Sequence, residues 1–165
     1  ENGQWLMSTV RDTRVESPSS FAKLQPLDWL VGSWSAEEHD VKSASDCRWI
    51  ANKSYLQRTY SVTSKDQVTS SGMQIIGWNP RAQQIQSWTF SSDGGMAVGN
   101  WIGNEMGWVI ELQGTQADGT PTSAINLLVP LDANGFSWQS VARHVGDISL
   151  PDTEEIMLKR QAEGK

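Results

Sequence analysis

Few side chains in this sequence could carry acid–base or nucleophilic chemistry, and they lie in different segments. Of the two histidines, His39 sits in the acidic stretch "EEHD", and His144 lies where a predicted strand ends. The single cysteine, Cys47, shares a strand face with Trp49 and is therefore expected to be a small buried side chain. A metal site of Glu38, His39 and Asp40 is disfavoured, because neighbouring strand residues face opposite ways. We predict no catalytic residue, no metal site and no cofactor.

Arg58 is the charged residue whose position calls for an explanation. It lies between Leu56 and Tyr60 on the apolar face of a predicted strand. A guanidinium group on an inner face must find a partner, because an unpaired buried charge is costly. Either a carboxylate such as Glu111 or Glu154 pairs with it, or it meets the acidic group of a ligand. The remaining alternative leaves Arg58 outside the barrel or at its rim.

Tryptophan is strongly over-represented, with nine residues among 165. Its large apolar ring and single N–H donor suit cores, pocket walls and interfaces. We expect large rings to pack loosely and to leave an elongated gap, although a filled core is an equal alternative. Such a gap with one cation would suit a flat molecule bearing a carboxylate or phenolate. The residues expected to bind this ligand are Trp49, Arg58, Tyr60, Trp88, Trp108 and Trp138.

The elements that must position these side chains are almost all strands. In "LDWLVGSW" (27–34), Gly32 ends a short helical segment and Trp34 begins an alternating strand. Nine or ten short strands follow, with hairpin signals such as Asp118-Gly119 and no long amphipathic helix. Because most strands have one apolar face, the pattern predicts an all-β chain folded as an antiparallel barrel of about eight to ten strands.

Closing such a barrel makes its first and last strands neighbours. Trp34 lies on the first strand and Arg160 on the last, both on the inward face. We therefore predict that Arg160 lies over the indole ring of Trp34 as a structural contact.

Composition excludes several classes of function. The net charge is −6 and there is no basic cluster, which argues against a nucleic-acid partner. No apolar run approaches the roughly 20 residues that a membrane-spanning helix needs. One cysteine cannot form an internal disulfide.

The beginning of the chain has a different character. Residues 4–10 alternate as a strand through Trp5 and Met7, and a polar stretch follows. We expect residues 1–16 to be a remnant strand of a preceding domain with its linker, and 17–165 to form the barrel domain. Such a strand would pair with an exposed edge, for example in a second copy.

Longer stretches carry a family resemblance. The segment 27–34 resembles the opening of lipocalin-like (calycin) barrels. The stretches "GMQIIGWNPRAQQIQSWTFSSDGG" (72–95), "ADGTPTSAIN" (117–126), "FSWQSVAR" (136–143) and "LPDTEEIMLKR" (150–160) resemble the carboxy-terminal region of bacterial SgcJ/EcaC-type proteins. There, a SnoaL-like domain precedes a barrel domain of unknown function, and "NGQWLMSTVRD" is similar to the closing strand of that SnoaL-like domain. The resemblance implies a lipocalin-like barrel and an adjacent SnoaL-like domain as a partner.

Three functions remain open at this stage. The first is a non-catalytic module that binds a small apolar or aromatic ligand next to the SnoaL-like domain. The second is an interaction module whose filled barrel packs on a partner domain or forms a homodimer. The third is a haem-binding, nitrobindin-like barrel with His144 as iron ligand. The sequence Gly-Ser-Trp-Ser at the first strand departs from the Gly-x-Trp-x-Gly of such haem barrels and counts against this third function.

Overall fold

A computed structural model describes residues 19–162. The first element of the described residues is helix α1 (Phe21–Leu24), which continues as a 3-10 helix (Gln25–Leu30), and we call residues 21–30 the plug helix. Eleven strands follow within the described residues. They are β1 (Gly32–Glu38), β2 (Val41–Ile50), β3 (Tyr55–Ser64), β4 (Gln67–Asn79), β5 (Gln84–Ser91), β6 (Met96–Gly103), β7 (Trp108–Thr115), β8 (Pro121–Asp132), β9 (Gly135–Val145), β10 (Ile148–Leu150) and β11 (Ile156–Arg160).

The strands form one closed antiparallel sheet. Each strand from β1 to β9 pairs with the next along the chain, and β10 and β11 both pair with the same side of β9. These two short strands therefore share one place in the ring, and β11 closes a ten-stranded barrel by pairing with β1. The predicted fold class is confirmed, including the helical segment before the first barrel strand. No helix among residues 19–162 is long and apolar enough to cross a bilayer.

The hydrophobic core fills one end of the barrel. The plug helix buries Leu24, Leu27 and Leu30 completely, because its leucines repeat every three residues and so face one side. They pack on inward side chains of the barrel such as Leu56 and Phe136. The turns after β2, β4, β6 and β8 lie at this plugged end, and the turns after β1, β3, β5, β7 and β9 surround the opposite end, which we call the mouth.

A single arginine fastens the plug helix to the closing strand. The guanidinium carbon of Arg160 lies 4.1 Å from the centroid of the Trp34 ring, so the expected contact is present. Its Nη1 and Nη2 donate to the carbonyls of Val31 (2.6 Å) and Trp29 (2.9 Å), at the end of the plug helix. Trp34 donates from Nε1 to the carbonyl of Leu30 at 2.9 Å. The contact satisfies backbone acceptors that the helix end leaves without partners.

Hydrophobic alternation does not describe every strand of the barrel. In β8, Asn126 and Leu128 occupy the inward positions, although the outward positions carry the apolar residues Ile125, Leu127 and Val129. Alternation is not informative for this strand because it is apolar on both faces. The short strand β10 has three residues, too few to show a hydrophobic alternation in the sequence. The predicted strand 4–10 lies outside the described residues.

Candidate ligand-binding cavity

A cavity of about 340 Å³ lies inside the barrel on the mouth side of the core. This volume is at the lower end of the range typical of small-molecule sites, roughly 300–1,000 Å³. Its walls come from nine of the ten places in the ring. The lining residues are Ser43, Ala44, Ser45, Arg58, Tyr60, Ser61, Val62, Ser70, Gln74, Thr89, Ala97, Leu112, Asn126, Trp138, Ile156 and Leu158.

Small inward side chains create the space. At the plugged end the inward positions carry leucine, isoleucine and tryptophan. Nearer the mouth they carry Ser45 on β2, Thr89 on β5 and Ala97 on β6, which cannot reach the barrel axis. Gly72 on β4 leaves room for the side chain of Tyr60. A Cβ atom at position 72 would lie 2.5 Å from the Tyr60 hydroxyl. Small residues, rather than loosely packed rings, therefore leave the gap.

Arg58 lines this cavity without a partner for its charge. It faces inward on β3, and the accessible part of its half-buried surface belongs to the cavity wall. No side chain in the described chain forms a hydrogen bond or ion pair with its guanidinium group. Glu111 and Glu154, the carboxylates expected as alternatives, are exposed. The expected pairing of Arg58 with one of these carboxylates is therefore wrong. The alternative that places Arg58 outside the barrel is wrong as well.

Burial shifts the ionisation of this arginine without removing its charge. Desolvation lowers the pKa of Arg58 below its ordinary value, while the nearby Cys47 and Tyr60 side chains act in the opposite direction. A guanidinium group stays protonated at neutral pH even when it is buried. The cavity wall therefore carries a fixed positive charge.

Uncharged polar atoms without partners point to the same region. Four buried side-chain atoms among the described residues have no hydrogen-bond partner, and three belong to the cavity wall: Ser45 Oγ, Gln74 Oε1 and Asn126 Oδ1. Gln74 is the direct β4 neighbour of Arg58, and its Nε2 donates to Thr89 Oγ1 at 3.2 Å. Asn126 lies on β8, five places around the ring from β3. Amide side chains thus stand in two opposite walls of the cavity.

Sequence reasoning missed both amides, although one could have been found. Gln74 follows from Arg58 once the β3–β4 hairpin register is drawn, because residues paired across two strands share a face. Asn126 was hidden by the apolar residues on either side of it.

The aromatic residues expected in the site divide into two groups. Tyr60 and Trp138 line the cavity, and the Tyr60 hydroxyl lies 3.2 Å from Ser91 Oγ.

Trp49 and Trp108 face the barrel interior but do not line the cavity. Trp49 donates to Asp28 of the plug helix at 2.8 Å, and Trp108 packs edge-on against Trp101 at 6.0 Å.

Trp88 does not face the barrel interior. It pairs with Ile75 and Val98 on the outer surface of the sheet. On β5 the inward positions are Ile85, Ser87 and Thr89. The expectation that Trp88 lines the cavity is wrong because the apolar residues of this strand are divided between its two faces.

The remaining reactive groups stay apart from the cavity. Cys47 is 2% exposed, and desolvation raises the pKa of its thiol to about 11, with the charge of Arg58 opposing this shift.

The side chains of Glu38, His39 and Glu154 come together at the exposed mouth. His144 is exposed and lies 3.1 Å through Nδ1 from the carbonyl of Ala142.

Haem does not fit the groups that the cavity presents. Within the described chain its wall contains no histidine, cysteine or methionine to bind iron, and His144 is not part of it. The one tyrosine of the wall, Tyr60, has its hydroxyl 3.2 Å from Ser91 Oγ. In comparisons with known proteins, no family model matches this chain, and the search of curated proteins found no significant match.

Proposed function

We propose that this barrel is a non-catalytic binding module that holds a small apolar or aromatic molecule carrying one acidic group. The acidic group contacts Arg58, and the body of the ligand lies against Tyr60, Leu112 and Trp138. The observation that carries the proposal is the guanidinium of Arg58, which faces the cavity without a hydrogen bond or ion pair within residues 19–162.

The physical argument concerns the cost of an isolated charge. A cation in a wall of low polarity is destabilising unless an anion or several acceptors stand against it. A carboxylate accepts two parallel N–H bonds from one guanidinium, which supplies affinity and orientation together. The unpartnered amide oxygens of Asn126 and Gln74 accept hydrogen bonds, so they suit a hydroxyl or N–H group of the ligand and not its carboxylate.

The volume argues against a filled barrel. A core that served only to support a surface would be packed to crystal-like density, with few voids larger than a water molecule. A cavity of about 340 Å³ is far larger than such voids. The interaction module is therefore the weaker alternative for the interior of the barrel.

We also propose that the chain is the barrel domain that follows a SnoaL-like domain in SgcJ/EcaC-type proteins. The support is the resemblance over four stretches between residues 72 and 160. On this proposal, the barrel would hold its ligand beside the neighbouring domain.

The first test compares acids with their uncharged amides. Benzoic, naphthoic and indole-3-acetic acids, each with its primary amide, are titrated into the full chain at pH 7 and followed by tryptophan fluorescence and calorimetry. We expect at least one acid to bind at least about tenfold more tightly than its amide, because only the acid pairs with the charge of Arg58. Replacing Trp138 by phenylalanine should remove part of the fluorescence change.

Two arginine variants supply the control. Arg58→Gln should abolish the preference for the acid. Arg48→Gln removes the same charge from the outer face of β2, where Arg48 contacts Gln57, and should leave the preference intact. Equal affinities for acids and amides, or equal loss in both variants, would contradict the role of Arg58. No binding by any acid or amide would overturn the binding module itself.

A further inference from the structure

The outer surface of three adjacent strands carries no charge. None of the residues of β4, β5 and β6 is acidic or basic. Charged side chains stand on the outer surfaces of several other strands, although not on that of β3. They include Glu37 on β1, Lys42 and Asp46 on β2, Glu111 on β7 and Lys159 on β11. We call the outer surface of β4, β5 and β6 the neutral face.

The neutral face is also apolar and exposed. Met73, Phe90 and Met96 lie side by side in one row across the three strands, with Phe90 in the middle. Phe90 is 47% exposed and Met96 56% exposed. A second row of Ile75, Trp88 and Val98 lies next to it.

Hydrogen-bonded amides border these rows toward the plugged end. Gln84 and Gln86 each donate to Asn100 Oδ1 at 2.8 Å, and Asn79 donates to Gln86 at 2.7 Å. Aromatic and methionine side chains surrounded by uncharged polar groups, with charges depleted, are the usual composition of the centre of a protein interface. Contiguous exposed apolar patches of this kind mark interaction sites.

We propose that the neutral face binds the same face of a second copy of this chain. The charge distribution favours this partner. Two copies each carry a net charge of −6 and therefore repel each other. They can approach most closely where neither presents a charge, whereas a basic partner would be attracted to the acidic surfaces.

A two-fold dimer is the arrangement that this face allows. Such a dimer uses one patch twice, so a patch that is apolar and uncharged throughout is compatible with itself. The closed barrel leaves β4, β5 and β6 no free edges for strand pairing, and contact must form through side chains. The central strand, β5, places Phe90 near the two-fold axis.

The test measures the dimer by sedimentation velocity on the full chain over a range of concentrations. We expect a reversible dimer for the wild type. Met96→Glu should raise its dissociation constant at least about tenfold, because the interface would then bury an unpaired carboxylate. Met157→Glu is the matched control. Met157 is 52% exposed, on β11, five places around the ring from β5, and its variant should dimerise as the wild type does.

Several results would overturn the proposal. A wild type that stays monomeric at all concentrations would do so, and so would a dimer that Met157→Glu weakens as much as Met96→Glu. If Met96→Glu does not fold, as judged by circular dichroism, Phe90→Lys replaces it with the same expectation. A wild-type monomer that dimerises after deletion of residues 1–18 would assign the neutral face to that segment instead.

Discussion

Cys47 is a core residue that lies directly beside a residue of the cavity wall. It pairs directly with Arg58 across β2 and β3, yet its own sulfur is buried. Burial disfavours the thiolate because the charged form loses its hydration. The positive charge of Arg58 is too weakly coupled to reverse this effect, since the pKa still rises to about 11. The thiol therefore acts as an apolar residue at neutral pH.

The raised pKa of Cys47 makes stability depend on alkaline pH. An unfolded thiol ionises near pH 9 and the folded one near pH 11, so its contribution is complete below pH 9 and decreases as pH rises toward 11. Urea unfolding from pH 8 to 11 should show the wild type losing about 2 kcal/mol more than Cys47→Ala over this range. Parallel pH profiles for the two proteins would contradict the buried thiol.

At the scale of elements, the plug helix depends on contacts outside itself. It is too short to be stable alone, because helices of fewer than about 12 residues are marginal in water. Its leucines pack into the barrel, and Arg160 holds its last carbonyls. The same arginine donates from Nε to the carbonyl of Ala133 in the β8–β9 turn at 2.9 Å. One side chain thus joins helix, turn and closing strand.

Removing this side chain should cost far more than removing a typical surface arginine. Arg160→Ala loses three charged hydrogen bonds and the stacking on Trp34, and we expect the free energy of unfolding to fall by about 3 kcal/mol. Arg143→Ala, which loses one bond of 3.0 Å to the Pro151 carbonyl, should cost less than about 1 kcal/mol. Denaturant titrations followed by circular dichroism compare the two, and similar losses would show that Arg160 has no special role.

The sequence predicted where the strands lie along the chain better than it predicted which face of each strand turns into the barrel. Turn residues such as Asp118-Gly119 gave the strand boundaries within a few positions, because hairpin turns impose local backbone requirements. The inward face was predicted wrongly where apolar residues occupy both sides of a strand, as on β5, where Trp88 lies on the outside. Arg58 could be placed correctly because Leu56 and Tyr60 bracket it. Trp49 could not be separated from the cavity, since its distance along the barrel axis depends on the tilt of the strands.

At the scale of the whole molecule, the two ends of the barrel differ in charge. Every described turn at the mouth contains one aspartate: Asp40, Asp66, Asp93, Asp118 and Asp147. Turn geometry explains the residue type. Asp118, for example, accepts the amide of Thr120 at 2.9 Å, and this bond lowers the pKa of its carboxyl group. The ring of carboxylates gives the mouth a negative potential, although the cavity behind it contains a cation.

This arrangement predicts an unusual salt dependence for an acidic ligand. If the proposed binding is correct, the mouth repels the ligand before Arg58 can attract it. Added salt screens the exposed aspartates more than the buried charge. The association rate constant of an aromatic acid should rise roughly twofold or more between 20 and 300 mM NaCl, while that of its amide stays constant. Stopped-flow fluorescence measures both, and a rate that falls with salt would contradict the role of the aspartates.

The closing seam between β1 and β11 is the part of the barrel that we expect to form last. Its two residue pairs, Trp34 with Arg160 and Ser35 with Lys159, join the first and last strands of the barrel, whereas the other neighbouring strands are linked mainly by short turns. The entropic cost of closing a loop grows with its length, so the hairpins should form first and the seam last. Contacts absent from the folding transition state change the unfolding rate and leave the folding rate nearly unaffected. Arg160 should therefore act as a kinetic latch, which determines how long the barrel stays closed rather than how fast it forms.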